Sequence, residues 1–354
     1  MGKKEKVNIL ITGCGAPGIS GTAYSLKQKN DLIDTYLIGT DINDLAVGKY
    51  FCDDFYTIPS FNNIEDYLTE LLNICKKHHI HVIVPQNTLE LGILSKNKKL
   101  FEKINVKLLL SNEQSIEKSN NKFELMKIAE KIKIPYPKYT TVNNITNLED
   151  ALKSFGWPKR KVVIKPPLSN GSRGVRIIDE STDLRNDFFN EKPGVLNTNF
   201  EMIKLILGDS FDTLLVMEFL DGKEYTVDLL NIDNHQLVIP RSRGSIKSGI
   251  TFFGIVEENN LIKDFSIKLM NELSLKYCFG FQFKMKDDIP HIIECNPRVQ
   301  GSMIISTLAN ANIILNSILF LLNKPLLPMD VKYGTSFTRY WGGISDNKLK
   351  VEKI

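Results

Sequence analysis

The sequence predicts an α/β protein in at least two parts: a parallel sheet wound with helices, then a region of antiparallel strands and scattered helices. Three observations predict it. Early in the chain, short apolar runs alternate with helical stripes. Later, apolar runs follow one another without a helix between each pair. The length of 354 residues, at roughly 150 residues per domain, gives two or three domains.

Residues 7–12, 36–40, 82–85 and 108–111 are apolar runs of strand type. Between two of them Ile64, Tyr67, Leu68, Leu71, Leu72 and Cys75 recur at three- and four-residue intervals, which makes 64–77 a helix. Strand and helix in alternation imply βαβ units. A second region begins near Asn112. Asn121 is placed to cap a helix with Glu124 three residues on; Leu125, Ile128, Ala129 and Ile132 supply its buried face, and it should stop before Pro135. Strands are then expected at 162–165, 214–219, 224–232, 279–284 and 291–294, helices at 264–275 and 304–322, and a last strand at 334–341.

Composition excludes several classes. Apolar residues at 42%, charged at 24% and aromatic at 9% describe a well-cored chain, not a disordered one. Forty-five Lys and Arg against 41 Asp and Glu leave a net charge of +4, too small a bias to predict nucleic-acid or membrane-surface binding. The five cysteines are odd in number and form no C-x-x-C pair, so neither a disulfide framework nor a zinc knuckle is expected. Residues 1–11 are too short and polar a run for a signal peptide. Asn310, Asn312 and Asn316 interrupt 304–322, which therefore reads as a buried helix and not a membrane span. A soluble, cytoplasmic protein is expected.

Gly13-Cys14-Gly15-Ala16-Pro17-Gly18 fits G-x-G-x-x-G, follows a strand and opens a helix, and Asp41 ends the next strand. That is the arrangement of an NAD(P) site. A tight strand-to-helix turn in a Rossmann-like domain without cofactor explains the same residues, and the proline within the loop favours it.

The more informative residues follow position 115. Lys165 ends an apolar strand and is followed by Ser169-Asn170-Gly171-Ser172-Arg173-Gly174, a small-residue loop whose backbone amides can close over phosphate. The lysine precedes the glycines, so this is not a Walker loop. The run 214–228 is a strand, a glycine turn and another strand. The edge of such a strand can read the rim of adenine and a carboxylate just past the turn can accept from ribose hydroxyls, though a β-hairpin with solvated acids explains the same residues. In 279–284, alternation places Gln282 and Lys284 on one face and phenylalanines on the other; Glu294 and Asn296 share a face by the same period. Paired strands would converge Gln282, Glu294 and Asn296, three hard oxygen donors suited to Mg²⁺ beside phosphates, with Arg298 able to fork onto a phosphoryl group.

Together these residues resemble the ATP-grasp superfamily, above all short proteins similar to the ATP-binding half of carbamoyl-phosphate synthase large subunits. The resemblance runs from the glycine turn to Arg339-Tyr340-Trp341 and is most specific at Glu294-Cys295-Asn296-Pro297-Arg298, the family's E-x-N-P-R. It implies a pre-ATP-grasp Rossmann-like domain over 1–113 and a two-lobed ATP-grasp domain over 114–330. The smaller lobe would occupy about 135–220, the larger about 221–330, and a C-terminal segment 331–354. It also implies site roles. Lys122 and Lys165 would contact ATP phosphates, and Gly171, Ser172 and Gly174 would belong to the phosphate lid. Glu218 to Leu220 would hold adenine and Glu224 the ribose. Gln282, Glu294 and Asn296 would bind Mg²⁺, with Mn²⁺ able to stand in, and Arg298 would stabilise a phosphorylated intermediate. Gln282 departs from the superfamily's usual Glu, which leaves a second metal open.

The chemistry so implied is activation of a small carboxylate as an acyl phosphate, then coupling to an amine or other nucleophile, in a protein compatible with a homodimer. Arg241 and Arg243, between the ribose and metal strands, are candidates for the substrate carboxylate. Three other readings stay open: bicarbonate or carbamate phosphorylation, an NAD(P)-dependent oxidoreductase built on the glycine turn, and a module that binds nucleotide without turning it over.

Overall fold

The structure, a computed structural model, describes residues 4–168, 173–191, 196–247, 249–346 and 351–353. Its first sheet contains β1 (Glu5–Thr12), β2 (Ile33–Asp41), β3 (Asp54–Thr57), β4 (Val82–Pro85) and β5 (Lys107–Leu108), in the order β3-β2-β1-β4-β5. Every pairing is parallel. Central β1 is buried on both faces, Val7, Ile9 and Ile11 to one side and Leu10 to the other, as a doubly wound sheet requires. The helix Ile64–Lys77 has the predicted bounds. Asn63 caps it through the Asp66 amide, acids fill its first turn, and Lys76 and Lys77 close its last. The fourth expected strand is shorter than 108–111. β5 stops at Leu108 because Asn112 already caps the next helix, although the Leu109 amide still reaches the Ile83 carbonyl.

A second sheet holds β6 (Tyr139–Asn144), β7 (Val162–Lys165), β8 (Arg176–Ile178), β9 (Asn197–Thr198) and β10 (Ser210–Glu218), ordered β6-β10-β7-β8-β9. A third is antiparallel throughout: β11 (Glu224–Ile232), β12 (His235–Lys247), β13 (Ile250–Val256), β14 (Tyr277–Lys286), β15 (Ile289–Asn296) and β16 (Ser336–Thr338), ordered β15-β14-β11-β12-β13-β16. Sequence patterning did not indicate β12 and β13, because Pro240, Arg241 and Arg243 interrupt the apolar alternation. The single helix expected at 304–322 is two, Ile304–Leu308 and Ile313–Leu321. Asn310 takes a left-handed backbone (φ 63°) and Asn312 caps the second helix, so the asparagines mark a break and a start. Buried residues of this helix pair pack with β1 and with Leu230, Ile232 and Ile239 in one continuous core, which joins the first sheet to the third.

The two faces of β14 decide where the site lies. Phe279, Phe281 and Phe283 enter a core with Leu125, Met126 and Ala129 of the helix Lys122–Lys131 and Ile262, Leu269 and Met270 of the helix Asn260–Glu272. Gly280, Gln282 and Lys284 face the other way. The Lys122–Lys131 helix is capped by Asn121, whose side chain accepts from the Phe123 and Glu124 amides. That cap fixes Lys122 at the first turn with its side chain buried.

Candidate active site

Between the second and third sheets lies a cleft of about 670 Å³, floored by β11, β14 and β15 and walled by β7, β8 and β10. Among the described residues five cations line it, Lys122, Lys165, Lys284, Arg243 and Arg298, against three carboxylates, Glu218, Glu224 and Glu294. The surplus of positive charge suits a polyanion. Lys165 ends β7 opposite Leu215 and is only 8% exposed. Burial, and then repulsion from Lys122, depress its ammonium pKa to about 8. Lys122 Nζ stands 3.9 Å from Glu294 Oε1, so the two lysines approach a single acid.

Register brings the expected oxygen donors together. Gln282 on β14 pairs directly with Glu294 on β15, and Asn296 pairs with Gly280, leaving Gln282, Glu294 and Asn296 on the cleft side. Two of the three are amides, and among the described residues no cluster of three His, Cys, Asp or Glu could hold a metal unaided. All three donors are nonetheless hard oxygens lining the cleft with Lys122 and Lys165, and Mg²⁺ commonly binds through one or two protein carboxylates plus substrate phosphates. The donor set fits that ion.

The other end is apolar, with Val163, Ile177, Met217, Leu220 and Ile293 among its walls. Glu218 contributes less directly than expected. Its amide donates to the Lys138 carbonyl (3.0 Å), while its carboxylate accepts from the Lys138 amide (2.8 Å) and Lys286 Nζ (2.6 Å). Burial would raise its pKa, but these two donors bring it below the ordinary value. Phe219 and Leu220 lie past the last β10 pair and line the cleft. Glu224 is ion-paired with Arg243 Nη1. Gly174 has φ +72°, and a Cβ there would lie 2.7 Å from Pro166, so only glycine fits this part of the expected lid. Gly171 and Ser172 lie outside the described residues.

The two candidate acceptor arginines fare differently. Arg241 does not reach the cleft, which corrects the expectation. It is fully buried and bidentate to Asp228, with Nε and Nη2 each 2.7 Å from a carboxylate oxygen, and its Nη1 donates to Ser302 Oγ. Arg243 does line the cleft, yet its donors already engage Glu224, Thr251 Oγ1 (3.0 Å) and the Gly249 carbonyl (2.7 Å). Arg298 lines the cleft half-buried, and its desolvation lowers its pKa against the opposing pull of Glu294 and Glu90. Gln300, which patterning missed, lies beside it. Its Nε2 is buried without a partner and occupies the space that a side chain at Gly280 would fill, 1.5 Å from where that Cβ would stand. An unpaired amide lining the cleft is a candidate contact for a substrate oxygen.

The glycine turn satisfies itself. Asp41 Oδ2 accepts from the Gly15 amide at 2.6 Å, Cys14 and Ala16 donate to the Thr40 and Gly13 carbonyls, and Gly18 packs on Gly301 so closely that a Cβ would come within 2.5 Å of its Cα. The carboxylate expected to hold a ribose thus holds an amide that a pyrophosphate would need. Gln86, just past the carboxyl end of β4, does line the cleft from this sheet, and Thr88 close by bonds to Arg298. The general placement of ligands at carboxyl ends of parallel strands was the signal for them.

Residues 210–338 match the family described as ATP-grasp in the biosynthetic pathway with Ter operon, and residues 9–109 match the PylC-like N-terminal domain. The carbamoyl phosphate synthase large chain of Clostridium acetobutylicum is 22% identical over 320 residues, covering 85% of this chain; the chain spans 28% of that relative's length. Among solved structures, N5-carboxyaminoimidazole synthetase from Staphylococcus aureus complexed with ADP superposes with a TM-score of 0.67 at 15% identity, covering 93% of this chain and 81% of that one. An L-amino acid ligase from Bacillus licheniformis gives 0.62 at 15% identity, covering 92% and 76%. Residues 210–338 thus carry the ATP-grasp match and residues 9–109 the PylC-like N-terminal match, and over most of its length the chain is similar to the carbamoyl phosphate synthase large chain. Among the described residues no helix is long and apolar enough to cross a membrane.

Proposed function

We propose that the protein is an ATP-dependent ligase that activates a small carboxylate as an acyl phosphate and couples it to an amine. The observation that carries this is the convergence of Lys122, Lys165, Gln282, Glu294, Asn296 and Arg298 on one end of a cleft whose other end is apolar. The base would lie among Val163, Ile177, Met217 and Leu220 against the backbone of Phe219 and Leu220, with the ribose toward Glu224. Lys122 and Lys165 would oppose phosphate charge. Gln282, Glu294 and Asn296 would hold Mg²⁺, which when bound neutralises phosphate oxygens as a Lewis acid.

In the first step a substrate carboxylate oxygen attacks the γ-phosphorus, the bond to the β,γ-bridging oxygen breaks, and ADP leaves. An amine then attacks the acyl carbon, phosphate leaves with the acyl C–O bond electrons, and the nitrogen gives up one proton to the departing phosphate or to water. Arg298 opposes charge on the transferred group, and Gln300 orients a substrate oxygen. The protein works by positioning and electrostatics; no side-chain nucleophile is required. The 22% identity to a carbamoyl phosphate synthase chain favours a second reading in which bicarbonate or carbamate is the acid phosphorylated. ADP release measured with Mg-ATP and a panel of carboxylates plus amines, against bicarbonate alone, separates the two. Loss of the first reading would be seen as ADP release with bicarbonate and with no organic acid.

Lys165 makes nucleotide affinity depend on pH. Its value, depressed to about 8, means that it is charged below that pH and neutral above it. Bound phosphates favour the charged form, so binding takes up a proton once the pH passes 8. Affinity for Mg-ATP should therefore be flat below the pKa and fall roughly tenfold by one pH unit above it. Lys165→Arg, whose charge persists, should flatten the curve, and calorimetric titration at several pH values reads both.

A further inference from the structure

Arg298 is held by the first sheet. Its amide donates 2.7 Å to the Asn296 carbonyl, a three-residue turn around Pro297 that reverses the chain just past the metal-donor strand. Its guanidinium then makes two further bonds. Nη1 donates to the Val299 carbonyl at 2.8 Å, and Nε donates to Thr88 Oγ1 at 2.7 Å, across 210 residues of sequence. Thr88 is buried in a short 3₁₀ turn just after β4.

That turn is built more firmly than a connecting loop requires. Asn87 caps it through the Leu89 amide, and the Asn87 amide donates 3.0 Å to Glu90 Oε1. Glu90, 2% exposed, also accepts from Thr12 Oγ1 (2.8 Å) and Tyr67 Oη (2.6 Å). A buried carboxyl with three donors locks the turn, and the turn presents one hydroxyl oxygen to Arg298. With Nε engaged by Thr88, the guanidinium keeps further N–H donors for a phosphoryl oxygen, out of the five it carries.

We infer that Thr88 is a positioning residue for Arg298, so that the first sheet is a working part of the phosphoryl-transfer site and not only a platform beside it. The inference rests on the proposed ligase reading. Without the Thr88 oxygen a half-buried N–H loses its acceptor and the guanidinium is free to swing, and misplacement on the scale of an ångström weakens an oriented interaction severely.

The test compares the thermal midpoint of the full chain with Mg-ADP and with Mg-ADP plus aluminium fluoride, a mimic of the phosphoryl group in flight. The wild type should rise with Mg-ADP and rise further with fluoride. Thr88→Val, which keeps the branched shape and removes the acceptor, should keep the first rise and lose the second, with affinity for the fluoride complex down about tenfold or more. Thr88→Ser should restore it, and Arg298→Lys should lose it. If Thr88→Val does not fold, Thr88→Ala is read in the same way. Retention of the second rise without the hydroxyl overturns the inference, as does failure of Thr88→Ser to rescue. A wild type that responds to Mg-ADP but not to fluoride overturns it while leaving nucleotide binding intact. A wild type that responds to neither overturns the ligase reading itself.

Discussion

Glu294→Gln is expected to lower ADP release by a hundredfold or more and to remove the metal dependence of nucleotide binding, on the order of losses seen when metal ligation is disturbed. The reason lies in the charge inventory. Of the three carboxylates lining the cleft among the described residues, Glu224 is paired with Arg243 and Glu218 with Lys286 at 2.6 Å, whereas Glu294 has only the longer 3.9 Å approach of Lys122 and is the acid best placed to meet a metal ion. Its neighbours Gln282 and Asn296 bring oxygens but no charge. The amide variant keeps shape and loses only the charge, which separates an electrostatic role from packing. It should have a second signature. Glu294 raises the pKa of Lys165, so removing its charge should move the pH midpoint of nucleotide binding downward. Titration with Mg-ATP, and with ATP plus chelator, measures both effects. A variant that turns over at the wild-type rate with unchanged metal dependence would remove Glu294 from the site.

Much of this was legible in the sequence because its carriers sit on regular elements. The period of two over 279–284 and 291–296 places Gln282, Glu294 and Asn296 on one face, and the observed register pairs Gln282 with Glu294. Val162–Lys165 and Glu224–Ile232 have their predicted bounds because the first is an apolar run closed by its lysine and the second starts just past the Gly222 turn. What escaped depends on contacts between distant segments. Gln300 matters because Gly280, on another strand, leaves it room, and Thr88 because Arg298 folds back onto it. Arg241 looked like a ligand because nothing in its neighbourhood of sequence shows that it is drawn along its own face of the sheet to Asp228 on β11, where Ser302 and Ser306 also bond. Likewise 304–322 reads as one apolar helix until the left-handed Asn310 splits it.

Arg241 supplies the second large effect, on stability. Its guanidinium and the Asp228 carboxylate are both at 0% exposure, and Ser306 Oγ also donates to Asp228 while Arg241 reaches Ser302. Breaking such a pair from one side leaves an uncompensated buried charge, so Arg241→Met should destabilise the protein by about 3–5 kcal/mol in chemical denaturation. Asp228→Leu should do comparable damage. The double variant should be less destabilised than either single one, because apolar groups of similar volume can replace a buried ion pair with little loss. The pair also ties β11 and β12 to Ser302 and to the helix Ile304–Leu308, directly after the segment that carries Arg298 and Gln300. The double variant should therefore recover stability more fully than turnover, since the serines lose their partners even when the charge is gone. The opposite pattern is informative too. If Arg241→Met kept its stability and raised only the Michaelis constant for the acid, the guanidinium would have to leave Asp228 on substrate binding, and the buried pair would be a resting arrangement of a true ligand.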